Sequence, residues 1–428
     1  MLSREDNEML VRAGAETAMG KLLRRFWTPA LLSSELPGPD CAPVRVTLLG
    51  EDLIAFRDTS GRVGLLDAYC THRRASLFWG RNEECGLRCA YHGWKFNVDG
   101  ECVDVPNAAM GEVIKDKMKT VAYPTLERSG VVWCYMGPAE LKPSPSRTEL
   151  FDLPENHRYV EKVLLPSNWI QSMEGDIDSS HVSFLHRRLD GAALLPSEHL
   201  SPFMFTDRVP QFTVNQTSYG LTLAARRNAG PSEYLCRINQ WLMPYTTLVA
   251  APKGVPFISN IRVPIDDENT MHLRIYARYD KPLTDEDHAR IEERIIFPEM
   301  IPGTFRTVAN RSNDYLQNRE DQKSRSFTGI KSVPVQDYAV TSDQGGGRIA
   351  DRSREHLVGS DRAIVMMRKR LLECAKSLRD GVEPTEVRSP DAYRVRSIET
   401  LLPRDVDLFD GTRAWTGLAQ GAMSRPIS

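Results

Sequence analysis

The chain has 428 residues, enough for two domains, with 41% hydrophobic and 26% charged residues and a formal net charge of −2 at pH 7. That balance is ordinary for a soluble globular protein and excludes the basic footprint of a nucleic-acid or anionic-membrane binder. The first residues, Met1 to Glu8, are polar and acidic, and no stretch approaches the ~18 apolar residues a membrane span needs, so a cytoplasmic location is expected. In that compartment the 8 cysteines are reduced thiols or metal ligands rather than a disulfide framework.

Residues 4–36 read as helical and then irregular, closed by Pro37-Gly38-Pro39. From Val44 the pattern becomes short β runs: 44–48, 53–56, 63–66, 94–98 and 131–136, punctuated by Gly50-Glu51-Asp52, Ser60-Gly61 and Asp99-Gly100. These imply a small antiparallel β domain over 41–142, preceded by a helical segment, 1–40, that packs on the other domain. Pro143-Ser144-Pro145-Ser146 is a linker, and 143–428 forms the larger domain. There a helix is expected around 168–186, followed by β runs at 211–226, 234–243, 246–251, 257–265 and 271–279. Further helices are expected at 284–296 and 360–379, the last started by Ser360-Asp361 and stopped by Gly381. The polar stretch 317–335 reads as a loop or lid. The fold class is α+β, with an N-terminal antiparallel β domain and a larger domain of antiparallel sheet flanked by helices.

Cys70-Thr71-His72 is followed by Cys89-Ala90-Tyr91-His92. Each half carries one thiolate and one imidazole. Two such loops facing each other can bind two irons, the cysteines on one and the histidines on the other, as in a Rieske [2Fe–2S] centre. A Cys₂His₂ zinc site uses the same residue types, but it usually groups its cysteines together and then its histidines. Cys70-Thr71-His72-Arg73-Arg74 with Cys89-Ala90-Tyr91-His92-Gly93-Trp94-Lys95-Phe96 resembles the Rieske domain of ring-hydroxylating oxygenases. Most of that superfamily has Gly where this chain has Arg74. The variant resembles the phthalate-dioxygenase-like branch, and the resemblance extends over nearly the whole chain.

A second motif runs from Asn168-Trp169 through Asp178 to His181 and His186. A helix advances ~100° per residue, so a spacing of five puts the two histidines on different faces unless the helix breaks after His181. Two histidines and a carboxylate with open positions make the facial triad of non-haem Fe(II) oxygenases. The resemblance implies a carboxylate from Gln336-Asp337-Tyr338, with Asp337 the first choice and Asp343 the second. It also gives Asp178 the role of a bridge between the iron histidine and a cluster histidine of a neighbouring subunit.

No Gly-rich dinucleotide fingerprint is present; Gly345-Gly346-Gly347 runs into polar residues and does not fit one. NAD(P)H oxidation is therefore expected on a separate flavin/iron–sulfur reductase, which passes electrons to the cluster and then to a mononuclear Fe(II) that uses O₂. The resemblance further implies a homo-oligomer, a trimer or stacked trimers forming a hexamer, and an aromatic carboxylate substrate dihydroxylated to a cis-dihydrodiol. Monooxygenation or O-demethylation of an aromatic ether or acid uses the same metals and stays open. A pure electron carrier would not need the second motif, and a zinc-stabilised module would be colourless. A substrate carboxylate calls for arginine. Arg208, Arg226, Arg227, Arg237 and Arg262 lie in or beside the β runs, with Arg237 the first candidate and Arg208 the second. For each, a salt bridge or a surface charge is the competing reading.

Overall fold

The computed structural model describes residues 2–108, 115–191 and 202–417. The chain divides into two units, Ala13–Pro145 and Met1–Arg12 with Ser146–Ser428. The expected N-terminal segment 1–40 is therefore corrected: it is split. The helix Arg4–Val11 belongs to the larger unit, where the Asn168 side-chain amide donates to the Val11 carbonyl at 2.9 Å. Residues from Ala13 on belong to the smaller unit, because the strand Trp27–Leu32 (β1) pairs antiparallel with Val131–Tyr135 (β10). Pro29 lies inside β1 at a register shift, which is why this strand reads as irregular in the sequence.

Three sheets build the smaller unit. β1 and β10 are joined by Thr125–Arg128 (β9). Val44–Leu48 (β2), Glu51–Arg57 (β3) and Val63–Asp67 (β4) form a second sheet. Arg81–Glu83 (β5), Gly86–Arg88 (β6), Lys95–Phe96 (β7) and Cys102–Asp104 (β8) form the third. Ile54, Phe56, Leu66, Leu77, Leu87 and Phe96 fill the core, and Cys70 and Cys89 are part of it.

The larger unit is one antiparallel sheet with helices. Its strands are Arg158–Leu165 (β11), Gln211–Gln216 (β12), Gly220–Asn228 (β13), Glu233–Leu242 (β14), Thr246–Val249 (β15), Phe257–Pro264 (β16), Thr270–Ala277 (β17) and Ile398–Pro403 (β18). The order is β11-β17-β16-β15-β14-β13-β12, with β18 added beside β14. The expected run 211–226 is two strands joined at a tight turn. One face of β16 and β17 is apolar, with Ile261, Val263, Leu273 and Ile275. The other carries Asn260, Arg262, His272 and Arg274, and all eight are buried. A polar face can be buried only if something polar covers it. The helix Trp169–Ile177 does so, and Asp176 takes both prongs of Arg262 at 2.8 Å. The same helix is held from behind by Glu174, which accepts from Arg352 at 2.9 Å and Arg368 at 2.7 Å. The stretch 317–335 is not a plain loop. It holds the helix Arg319–Ser324, capped by Asn318, and Phe327 donates its backbone N–H to the Arg187 carbonyl.

Candidate metal centres

In the smaller unit the two Cys–His loops are structural twins. The N–H of Cys70 donates to the Ala75 carbonyl and that of Cys89 to the Trp94 carbonyl; Arg74 N–H returns to Cys70 O and Gly93 N–H to Cys89 O. Each loop closes on a left-handed residue, Arg74 at φ +54° and Gly93 at φ +79°. Glycine is required at 93, where a Cβ would also meet Pro106 at 2.7 Å. Arg74 tolerates the same conformation with its guanidinium tied to Asp67 at 2.7 Å. The loops bring the His72 and His92 rings to 4.6 Å, with His72 stacked on Trp94. Both thiols are buried, and burial beside Cys89 pushes the Cys70 thiol up to about 11. His72 Nδ1 is buried with no hydrogen-bond partner among the described residues. An orphaned ring nitrogen and two neighbouring buried thiols are what a metal-ligand set leaves behind, because cations supply the missing partners.

In the larger unit the expected helix 168–186 breaks. It runs Trp169–Ile177 and ends at Asp178 in extended conformation; a single turn, Val182–Leu185, follows. Asp178 drives this by capping: its carboxylate accepts from Ser180 N–H and Oγ, each at 2.6 Å, and from His181 N–H at 3.2 Å. Arg227 pins the turn from outside, donating to the Ser179 carbonyl at 2.6 Å. His181 and His186, at the two ends of the turn, converge with Nε2 atoms 3.2 Å apart. Asp337 Oδ1 lies 3.6 Å from the first and 3.3 Å from the second, and is the carboxylate the fold brings to them. One ligand atom from each of these three residues lies within 4.8 Å of the others, close enough to hold a single metal ion. Burial would raise the Asp337 pKa, but His186 and His181 outweigh it and hold the carboxyl below its usual value. Asp343, the second choice, caps the end of the helix Val333–Ser342 and pairs with Arg311 at 2.8 Å on the surface.

Gln336 is the residue the sequence analysis passed over. Its Nε2 donates to the Ile330 carbonyl at 2.7 Å, so its Oε1 faces His186 Nδ1, also at 2.7 Å. The His186 proton therefore sits on Nδ1, and Nε2 presents its lone pair to the cluster of ligands. Asp178 lies 3.5 Å from His181 Nδ1; burial opposes its ionisation, but the His181 and Ser180 hydrogen bonds outweigh it and hold the pKa at about 2.

The iron-type site opens into a cavity of about 120 Å³ lined in part by Val249, Ala250, Ile258, Ile296 and Val333. Of the candidate arginines, Arg237 lines this cavity but is paired with Glu399 across the β14–β18 ladder. Arg208 lies at the surface, over the Phe184 ring, and does not line it. Arg226 stacks on Tyr234, and Arg227 and Arg262 serve the structural roles given above.

Residues 26–122 match the Rieske [2Fe-2S] domain, and residues 134–424 match the family described as LigXa C-terminal domain like. The phthalate 4,5-dioxygenase oxygenase subunit of Pseudomonas putida is 38% identical over 96% of this chain and 94% of its own length. The chain belongs to the Rieske non-haem iron ring-hydroxylating oxygenases. The 3-chlorobenzoate-3,4-dioxygenase oxygenase subunit of Comamonas testosteroni is also 38% identical, over 94% of this chain and 96% of its own. Among solved structures, the NdmA QL mutant with theobromine, from Pseudomonas putida CBB5, shares the fold with a TM-score of 0.61 at 18% identity, over 91% of this chain and 99% of its own. This oxygenase subunit carries a Rieske [2Fe–2S] cluster and a mononuclear iron, and it works with a separate reductase and O₂. No helix among the described residues is long and apolar enough to cross a membrane.

Proposed function

We propose that this oxygenase dihydroxylates a single-ring aromatic carboxylate to a cis-dihydrodiol, with electrons from a flavin/iron–sulfur NAD(P)H reductase. The observation that carries this reading is the cavity beside His181, His186 and Asp337. Its volume is on the scale at which a benzene ring is held in an apolar pocket, roughly 150 Å³ in an engineered case, and its walls combine aliphatic side chains with a few buried polar groups. The two relatives at 38% identity are named for phthalate and 3-chlorobenzoate, both carboxylated benzene rings.

Cys70, His72, Cys89 and His92 hold the cluster in this reading, and His181, His186 and Asp337 hold the iron. Held there, the iron would supply the site of O₂ activation. The protein's own contribution is positional: Gln336 fixes the tautomer and tilt of His186, Asp337 supplies an anionic ligand, and the aliphatic walls seat the ring and exclude water. Asp178 links His181 to a cluster histidine of a neighbouring copy in a homotrimer or a hexamer of stacked trimers. Its partly exposed carboxylate beside His181 Nδ1 supports that role. Asp178→Asn is expected to keep both metals and slow reoxidation of a pre-reduced cluster in a single turnover; reoxidation at the wild-type rate would remove the bridge.

Product analysis tests the reaction. The oxygenase, a reductase and NADH are supplied with phthalate or 3-chlorobenzoate. Formation of a dihydrodiol in step with NADH consumption is expected. NADH oxidation without a ring product from either acid, together with turnover of a neutral ring or an aromatic ether, would overturn the reading.

A further inference from the structure

The charges around the cavity pair off with one exception. Arg262 is taken by Asp176, Arg237 by Glu399, and Asp337 faces the two histidines. Arg274 also lines the cavity, is 6% exposed, and has no carboxylate within ion-pair distance among the described residues. Its Nε is buried without a hydrogen-bond partner. Phe297 lies beside it, with the guanidinium carbon 5.7 Å from the ring centre. Its cross-strand neighbours are Glu161 on β11 and Asn260 on β16. Glu161 is engaged by Arg294 at 3.3 Å. Asn260 is held by Asp176 at 2.7 Å and His272 at 3.1 Å. Asp337, Asp176 and Glu161 act on Arg274 only from beyond ion-pair distance, and a buried guanidinium with no direct ion pair is costly and unusual.

From this we infer that Arg274 is the residue that recognises the anionic group of the substrate, a ring-bound carboxylate, which completes its missing ion pair inside the cavity. The inference rests on the aromatic-carboxylate reading above and names the side chain responsible. Arg237 is the weaker candidate because Glu399 already neutralises it. A planar carboxylate offers Arg274 two parallel acceptors, and Ile258 and Ile296, which line the same cavity, give an apolar surface for the ring that carries it. Arg274 is thus a specificity residue. It sets which rings are held, while the metal ligands are unaffected by its replacement.

Calorimetric titration of the purified metal-loaded oxygenase tests this, with phthalate and its neutral analogue phthalamide as probes, on wild type, Arg274→Met, Arg274→Gln and Arg237→Met. Wild type is expected to prefer phthalate. Both Arg274 variants should lose about 100-fold in phthalate affinity, hold phthalamide as well as wild type does, and keep the cluster spectrum and iron content. Arg237→Met should change the preference for phthalate by less than either Arg274 variant. Phthalate affinity within twofold of wild type in whichever Arg274 variant folds with its metals would overturn the inference and leave the substrate class standing. A wild type that binds phthalamide as tightly as phthalate would instead remove the carboxylate reading itself.

Discussion

The two ligand sets are built in opposite ways. The proposed cluster set comes from two loops of one small β unit, with matching backbone hydrogen bonds and matching left-handed closures at Arg74 and Gly93. The proposed iron set comes from a broken helix and from a second helix far along the chain, and its shape depends on two residues outside it: Asp178 at the break and Gln336 behind His186. A site made of local loops is complete once its turns form. A site made of distant elements needs supports, and those supports carry much of its chemistry.

The largest effects should come from the local site. Cys70→Ala is expected to abolish the visible absorption of the cluster while the larger unit still takes up iron; a normal cluster spectrum in that variant would remove Cys70 from the set. Next comes the choice of carboxylate. Asp337→Asn should lose the mononuclear iron and all turnover, whereas Asp343→Asn, which breaks only a surface pair with Arg311, should keep both. Iron lost from the second and kept by the first would reverse the assignment.

The supports should show smaller, graded effects. Gln336→Leu removes the acceptor for His186 Nδ1 and should weaken iron binding by about 10- to 100-fold, a typical cost for losing a partner behind a metal ligand. Gln336→Glu, which keeps an acceptor at that place, should restore much of it. Equal iron affinity in the Leu variant would show that His186 needs no support.

The smallest effect concerns stability. Burial raises the Glu161 carboxyl from 4.5 to about 7. A raised carboxyl pKa favours folding most below the unfolded pKa, and this contribution is lost as pH climbs through the folded value. Glu161→Gln does not titrate, so relative to wild type it should gain about 1–3 kcal/mol between pH 5 and pH 8. Chemical denaturation at the two pH values measures this; a variant whose relative stability is the same at both would contradict the burial of an ionising group there.

The same contrast governs what could be read from the sequence. The paired Cys–His loops are contiguous motifs, so the candidate cluster ligands could be picked out from spacing, and five of the ten described strands of the smaller unit from their β runs and turn residues. His181 and His186 were legible as a pair, but their convergence needs the break at Asp178, which spacing alone leaves open. Asp337 came from resemblance, since a lone aspartate in a polar stretch carries no signal of its own. β1 was hidden by Pro29, and β18 by its distance along the chain from β14. Arg274 was missed for a different reason. The alternation His272-Leu273-Arg274-Ile275 is what a strand with one solvated face shows. Only the helix Trp169–Ile177 lying over that face reveals that its polar side chains are buried.

The central claim is that one chain holds two separate metal sites with separate ligands. Iron and acid-labile sulfide counted in the purified oxygenase and in His181→Ala test it most directly. The account predicts about three irons and about two sulfides per wild-type chain, falling to about two irons with sulfide unchanged in the variant. Loss of sulfide together with iron in His181→Ala, or zinc in place of iron in the wild type, would contradict it.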